Sequence, residues 1–139
     1  MKTIPLRRIF SVGAIAIVAS TLVNLGIKGI AELWFHPSAS FIPLSIGPVI
    51  FWSVVCGIGA VLVFALVVRR SSRPVLVYTL IAIGVYVLTF IPDGLLLFSN
   101  PPLVPGMTVY AVLSLMAMHA AEAIIILLTL VILAGRSKL

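Results

Sequence analysis

Four uninterrupted apolar runs, at residues 9–33, 47–68, 75–98 and 107–134, leave this 139-residue chain few ways to fold. A helix needs about 20 apolar residues to cross about 30 Å of hydrocarbon, and each run meets that length. The runs are continuous rather than alternating, which argues against strands, and an open sheet cannot satisfy its edge in lipid. With 63% hydrophobic and 9% charged residues, the chain lacks the polar surface that a soluble domain of this size requires. The expectation is an all-α fold: one integral membrane four-helix bundle occupying residues 1–139.

The net charge of +6 would point to nucleic acid if it formed one patch, but it is distributed by position. Lys2, Arg7 and Arg8 precede the first run, Arg69, Arg70 and Arg73 fill "RRSSRP", and Arg136 and Lys138 follow the fourth. The loops at 34–47 and 98–107 contain no Lys or Arg. That alternation follows the positive-inside rule, with both termini cytoplasmic. The expected partner is therefore the lipid bilayer and not nucleic acid. The basic start followed by Ala14, Ala16 and Ala19 has the look of a secretory leader. Its apolar stretch runs on to Ala31, too long for a leader, and a retained first helix is expected.

The two loops without basic residues are rich in proline, with Pro37, Pro43 and Pro48 in or beside the first and Pro101, Pro102 and Pro105 in the second. Proline stiffens a connection, so ordered caps are expected. Trp34, Phe35, Phe41 and Trp52 are expected at the headgroup layer, where aromatic rings are favoured. Cys56 is the sole cysteine, which excludes an internal disulfide and leaves a packing role for the thiol. Ser53, Cys56, Gly57 and Ala60 repeat at spacings of three and four, suiting close approach of a second helix. That helix is expected within the monomer, with a dimer face as the alternative.

All three acids, Glu32, Asp93 and Glu122, lie in or beside apolar runs, joined by Lys28, His119 and Asn24. An ionisable group at mid-membrane costs about 3 kcal/mol on insertion scales, so such a set demands mutual compensation or a function. Ser20, Asn24, Lys28 and Glu32 recur every four residues and share one helix face; His119 and Glu122 share another. At about 1.5 Å of rise per residue, Lys28 and Asp93 lie about 9 Å and about 7.5 Å below the loop ends of their helices. Asn24 and His119 lie at about 15 and about 18 Å, Ser20 and Glu122 at about 21 and about 22 Å. The depth match predicts a polar seam with Lys28 paired to Asp93, Asn24 to His119 and Ser20 to Glu122. Glu32 is near enough to the interface to be solvated, and Glu122, with no cation at its level, is expected neutral.

The segment "TFIPDGLLLF" reads as a turn in water. Here Leu95, Leu96, Leu97 and Phe98 would form a stranded apolar tail if the helix stopped at Ile91. A kinked helix that runs through Pro92 to about residue 98 and turns Asp93 inward is the better reading, with an interfacial turn as the alternative. His119-x-x-Glu122 offers two metal ligands, but di-iron bundles use the Glu-x-x-His order and more carboxylates. No metal and no cofactor are expected.

Val23-Asn24, the Arg69-Arg70 to Arg73-Pro74 loop, Pro92 and Met118-His119 together resemble a family of small uncharacterised four-helix membrane proteins found in actinobacteria and other bacteria. The resemblance covers most of the chain, implies a bacterial inner-membrane location, and brings no activity. Asp93 and Glu122 depart from the family's usual apolar or small residues at those positions. Small multidrug-resistance exporters also have four short spans and a carboxylate on the first. Their Glu is mid-helix, whereas Glu32 lies near a helix end beside Lys28, so the correspondence fails at the decisive residue.

Three function classes remain open. The preferred one is a non-catalytic accessory or assembly subunit, in a homo-oligomer or larger membrane complex, whose seam of Ser20, Asn24, Lys28, Asp93, His119 and Glu122 fixes helix packing. The second binds or transports a small molecule, cation or proton through Glu122, His119 and Asp93. The third is a membrane enzyme with Glu122 and His119 as acid and base on a lipophilic substrate. The chain contains no nucleophile triad, phosphate loop or haem-attachment motif.

Overall fold

A computed structural model describes residues 4–134. Lys2, Arg136 and Lys138, on which part of the charge argument rests, lie outside the described residues. Four α-helices follow one another: α1 at Leu6–Phe35, α2 at Ile46–Arg70, α3 at Pro74–Leu97 and α4 at Val109–Thr129. A 3-10 turn at Ile42–Leu44 precedes α2, and a π-helical turn at Leu130–Ala134 extends α4. There is no strand among the described residues. All four helices are long and apolar enough to cross a membrane, and each coincides with one of the expected runs.

Local chemistry sets several of the boundaries. The Thr108 hydroxyl accepts from the Ala111 N–H at 3.2 Å, satisfying one of the orphan donors that open α4. Arg69 and Arg70 occupy the last turn of α2, where positive charge complements the helix dipole. Pro74 opens α3, at the position where a missing N–H costs nothing. Pro92 does not end α3, which continues through it to Leu97. Of the kinked helix expected here, the structure shows the passage through Pro92 and the inward Asp93, which is buried, rather than an interfacial turn.

The helices form a ring in chain order. α1 packs mainly on α4 and α2, and α3 packs on α4 and α2, so α1 and α3 face each other across a diagonal. The buried residues of α1 are Ile9, Gly13, Ala16, Ser20, Asn24, Lys28 and Ala31, a single stripe with steps of three and four. Two apolar clusters result. One, toward the basic turn between α2 and α3, centres on Ile9, Ala16, Val61, Phe64, Tyr78 and Ile126. The other, toward the proline loops, centres on Ala31, Phe41, Leu44, Val49, Val112 and Met118.

α1 and α2 approach closely because glycine permits it. A Cβ on Gly13 would lie 2.5 Å from Val61 Cγ2, and one on Gly57 would lie 2.6 Å from Ile17 Cγ1. The small residues of α2 thus serve contact within the chain at Ser53 and Gly57, which are buried. Cys56 is exposed, which corrects the expectation that its thiol is packed: it lies one residue off the buried stripe of Ser53 and Gly57.

The first proline loop is more than a cap. Phe41 is only 2% exposed and joins Leu44 in the core, so it does not sit with the exposed Trp34, Phe35 and Trp52 as expected. The loop folds back over the helix ends, and the 3-10 turn aims these side chains inward. Gly106, at φ 71°, lets the second loop lie against Ser38 of the first; a Cβ there would come within 2.8 Å of the Ser38 Cβ.

α3 is the outlier. Its only buried residues are Tyr78 and Asp93. The Tyr78 ring meets Phe64 of α2 edge-on, with centroids 4.8 Å apart. Asp93 anchors the other end of the helix.

Candidate functional site

Between the two apolar clusters lies a polar layer contributed by three helices. Asn24 of α1 donates from Nδ2 to Ser53 Oγ of α2 at 2.8 Å and to Glu122 Oε2 of α4 at 3.0 Å. Asn24 and Ser53 are each 2% exposed. One amide thereby ties α1, α2 and α4 together at mid-bundle. A second polar contact joins α3 to α4, where His119 Nδ1 and Asp93 Oδ2 stand 2.8 Å apart. Asp93 is sealed while the His119 side chain is 39% exposed, so the imidazole forms the accessible side of the pair. Which of the two atoms donates depends on the imidazole tautomer. A third contact, Lys28 to Glu32, stays within α1, and the exposed Glu32 draws the ammonium of the buried Lys28 toward the helix end.

The structure brings together most of the expected seam but pairs it differently. Lys28 bonds Glu32 rather than Asp93, Asn24 bonds Glu122 and Ser53 rather than His119, and the Ser20 hydroxyl donates to the Ile17 carbonyl of its own helix at 3.1 Å. The reason is azimuth. Matching by depth ignores which neighbour a face meets, and α1 sits diagonally from α3, leaving Lys28 and Asp93 on opposite sides of the ring. His119 and Glu122, three residues apart, point about 60° apart around α4. One therefore serves α3 and the other serves α1 and α2.

Ser53 is the member that spacing alone did not assign to the seam. It stood out in the sequence as a small residue, and its hydroxyl proves to be the α2 anchor for Asn24. The signal was present in the text of α2, where Ser53 is the only hydroxyl among long apolar neighbours between Pro48 and Arg69.

Two buried oxygens in the layer have no partner: Asn24 Oδ1 and Glu122 Oε1. Leaving such an acceptor unpaired costs about 1–3 kcal/mol. The layer therefore holds two acceptors in want of a donor or a cation. No three His, Cys, Asp or Glu side chains gather as metal ligands among the described residues. An apolar surface groove between α1 and α2, lined by Phe10, Gly13, Ala14, Ile17, Ile58, Val61 and Leu62, shares no residue with the polar layer.

Residues 3–136 match the family described as a family of unknown function, DUF6069, and the chain belongs to it. Comparison with curated proteins and with solved structures finds no match.

Proposed function

For this member of the DUF6069 family, we propose a multi-pass protein of the bacterial inner membrane that acts as a non-catalytic accessory or assembly subunit. The basic turn between α2 and α3 and both chain ends face the cytoplasm. Its polar layer fixes helix register. The observation that carries this reading is the Asn24 amide, which bonds α2 and α4 at once. Between helices surrounded by lipid, apolar contact has no hydrophobic driving force, so polar bonds and close packing decide which faces meet. Supporting the assembly role, α3 buries just Tyr78 and Asp93 and exposes many of its large apolar residues, among them Leu80, Ile83, Val87, Leu88 and Ile91.

Two measurements test this. Affinity purification in native-lipid nanodiscs is expected to recover a second chain, either another copy or a different protein; recovery of the monomer alone would reject the assembly role. In a Cys56→Ala background, the Ser72→Cys variant is expected to resist an impermeant thiol reagent applied to intact cells. Labelling from outside would reverse the orientation.

A second reading is favoured by one observation. Asn24 Oδ1 and Glu122 Oε1 are buried without a hydrogen-bond partner, and His119, three residues before Glu122 on α4, interacts with it electrostatically, a set of groups suited to binding a cation or proton.

A further inference from the structure

When Glu122 is ionised it brings a negative charge into the polar layer, and the basic groups nearest it are hydrogen-bonded to other carboxylates. Lys28, on α1, is bonded to Glu32, and His119, on α4, is bonded to Asp93 of α3. From α2 the only titratable group in reach of the Glu122 charge is the Cys56 thiol, which brings no positive charge. The Asn24 amide hydrogens go to Ser53 and to Glu122 Oε2, and the Ser53 hydroxyl is itself a hydrogen-bond partner of the Glu122 carboxyl group; Glu122 Oε1 and Asn24 Oδ1 are left without a partner. Asn24 is almost completely enclosed, so bulk water does not reach its free oxygen.

We propose that Glu122 Oε1, Asn24 Oδ1 and Ser53 Oγ form a site for one small monovalent cation, at which sodium and a proton compete. The donor set is made wholly of oxygens, the ligands of hard cations rather than of zinc or copper. Ser53 Oγ accepts one hydrogen from Asn24 and keeps a second lone pair. The single carboxylate among the three ligands selects the ion's charge: a monovalent ion leaves the Asn24–Ser53–Glu122 group neutral. A divalent ion would leave a net charge buried between the two apolar clusters, which is strongly disfavoured. Each ligand comes from a different helix, so occupancy would clamp α1, α2 and α4 together and couple the ion to the bundle's stability.

The inference deepens the second reading above and needs only the Asn24–Ser53–Glu122 geometry; the accessory role stands or falls separately, on the recovery of a partner chain. The test uses the full chain in nanodiscs of neutral phospholipid, with sodium chloride titrated against choline chloride at several pH values. Thermal unfolding is expected to shift upward with the logarithm of sodium concentration. Because a proton occupies the same carboxylate, half-saturating sodium is expected to rise about tenfold for each unit that pH falls in the acidic limb. The Glu122→Gln variant is expected to lose the sodium response, and Ser53→Ala, which removes one ligand and a small volume, to weaken it. If Glu122→Gln does not fold, radioactive sodium binding to wild type and Ser53→Ala supplies the same comparison. Identical unfolding in sodium and choline at every pH would overturn the proposal, as would a sodium response that survives Glu122→Gln. A pH response dependent on Glu122 but indifferent to sodium would also overturn it, while leaving proton binding intact.

Discussion

Asp93 and His119 meet at 2.8 Å and are the one polar link between α3 and α4 that the structure displays among its described side chains. α3 has no other buried residue near that end, its second anchor being Tyr78 more than four turns away. The contact is therefore the polar part of what docks the later half of α3, beside Leu96 and Leu97, which pack against the cluster around Met118.

A double-mutant cycle on Asp93→Leu and His119→Leu, read by thermal unfolding in detergent, is expected to show coupling of about 0.5–3 kcal/mol. The same cycle on Lys28→Met and Asp93→Leu is expected to be additive within about 0.5 kcal/mol, because the two sit on diagonal helices and have different partners. Strong coupling in the second cycle would show that the pairing described here is wrong.

Asn24→Leu removes the donor shared by Ser53 and Glu122 and should destabilise the bundle by about 1–3 kcal/mol. Ser53→Ala should cost less, since Asn24 retains Glu122. A larger loss from Ser53→Ala than from Asn24→Leu would contradict the shared-donor arrangement.

Glycine substitution separates helix propensity from packing. Ala gains about 1 kcal/mol over Gly in a helix interior. At Gly59 and Gly84, where an added Cβ would meet nothing within 4 Å, that gain should appear as a raised unfolding temperature. At Gly13 the new methyl would meet the stiff, β-branched Val61, and overpacking of about 1–3 kcal/mol should offset or reverse the gain. Equal responses at Gly13 and Gly59 would refute the close approach of α1 to α2.

Phe41 holds the first proline loop against the helix ends. Phe41→Ala removes a buried ring, a change that costs about 3–5 kcal/mol in a soluble core. Because the ring pins a loop, much of the effect should be local. Protease cleavage within residues 36–45 is expected to accelerate well before global unfolding shifts, and unchanged cleavage would show that the ring is not what holds the loop.

Helix number, extent and order were legible in the sequence, because apolar run length is a local property and each run became one helix. Continuation through Pro92 was legible too, since the apolar residues after Gly94 needed a helix to carry them. The shared face of Ser20, Asn24 and Lys28 followed from the four-residue spacing, which fixes relative direction along one helix. What spacing does not contain is the rotation of each helix about its own axis and the identity of its neighbours. Those came from the ring order, which set α3 diagonal to α1, turned His119 to Asp93 and Glu122 to Asn24, and recruited Ser53 as the third partner. Phe41 and Cys56 went astray for the same reason, one drawn inward by a folded loop and the other left outside by a single step around α2. Composition and periodicity determine elements one at a time, whereas pairing depends on how several packed faces are satisfied at once, and only the assembled bundle decides that.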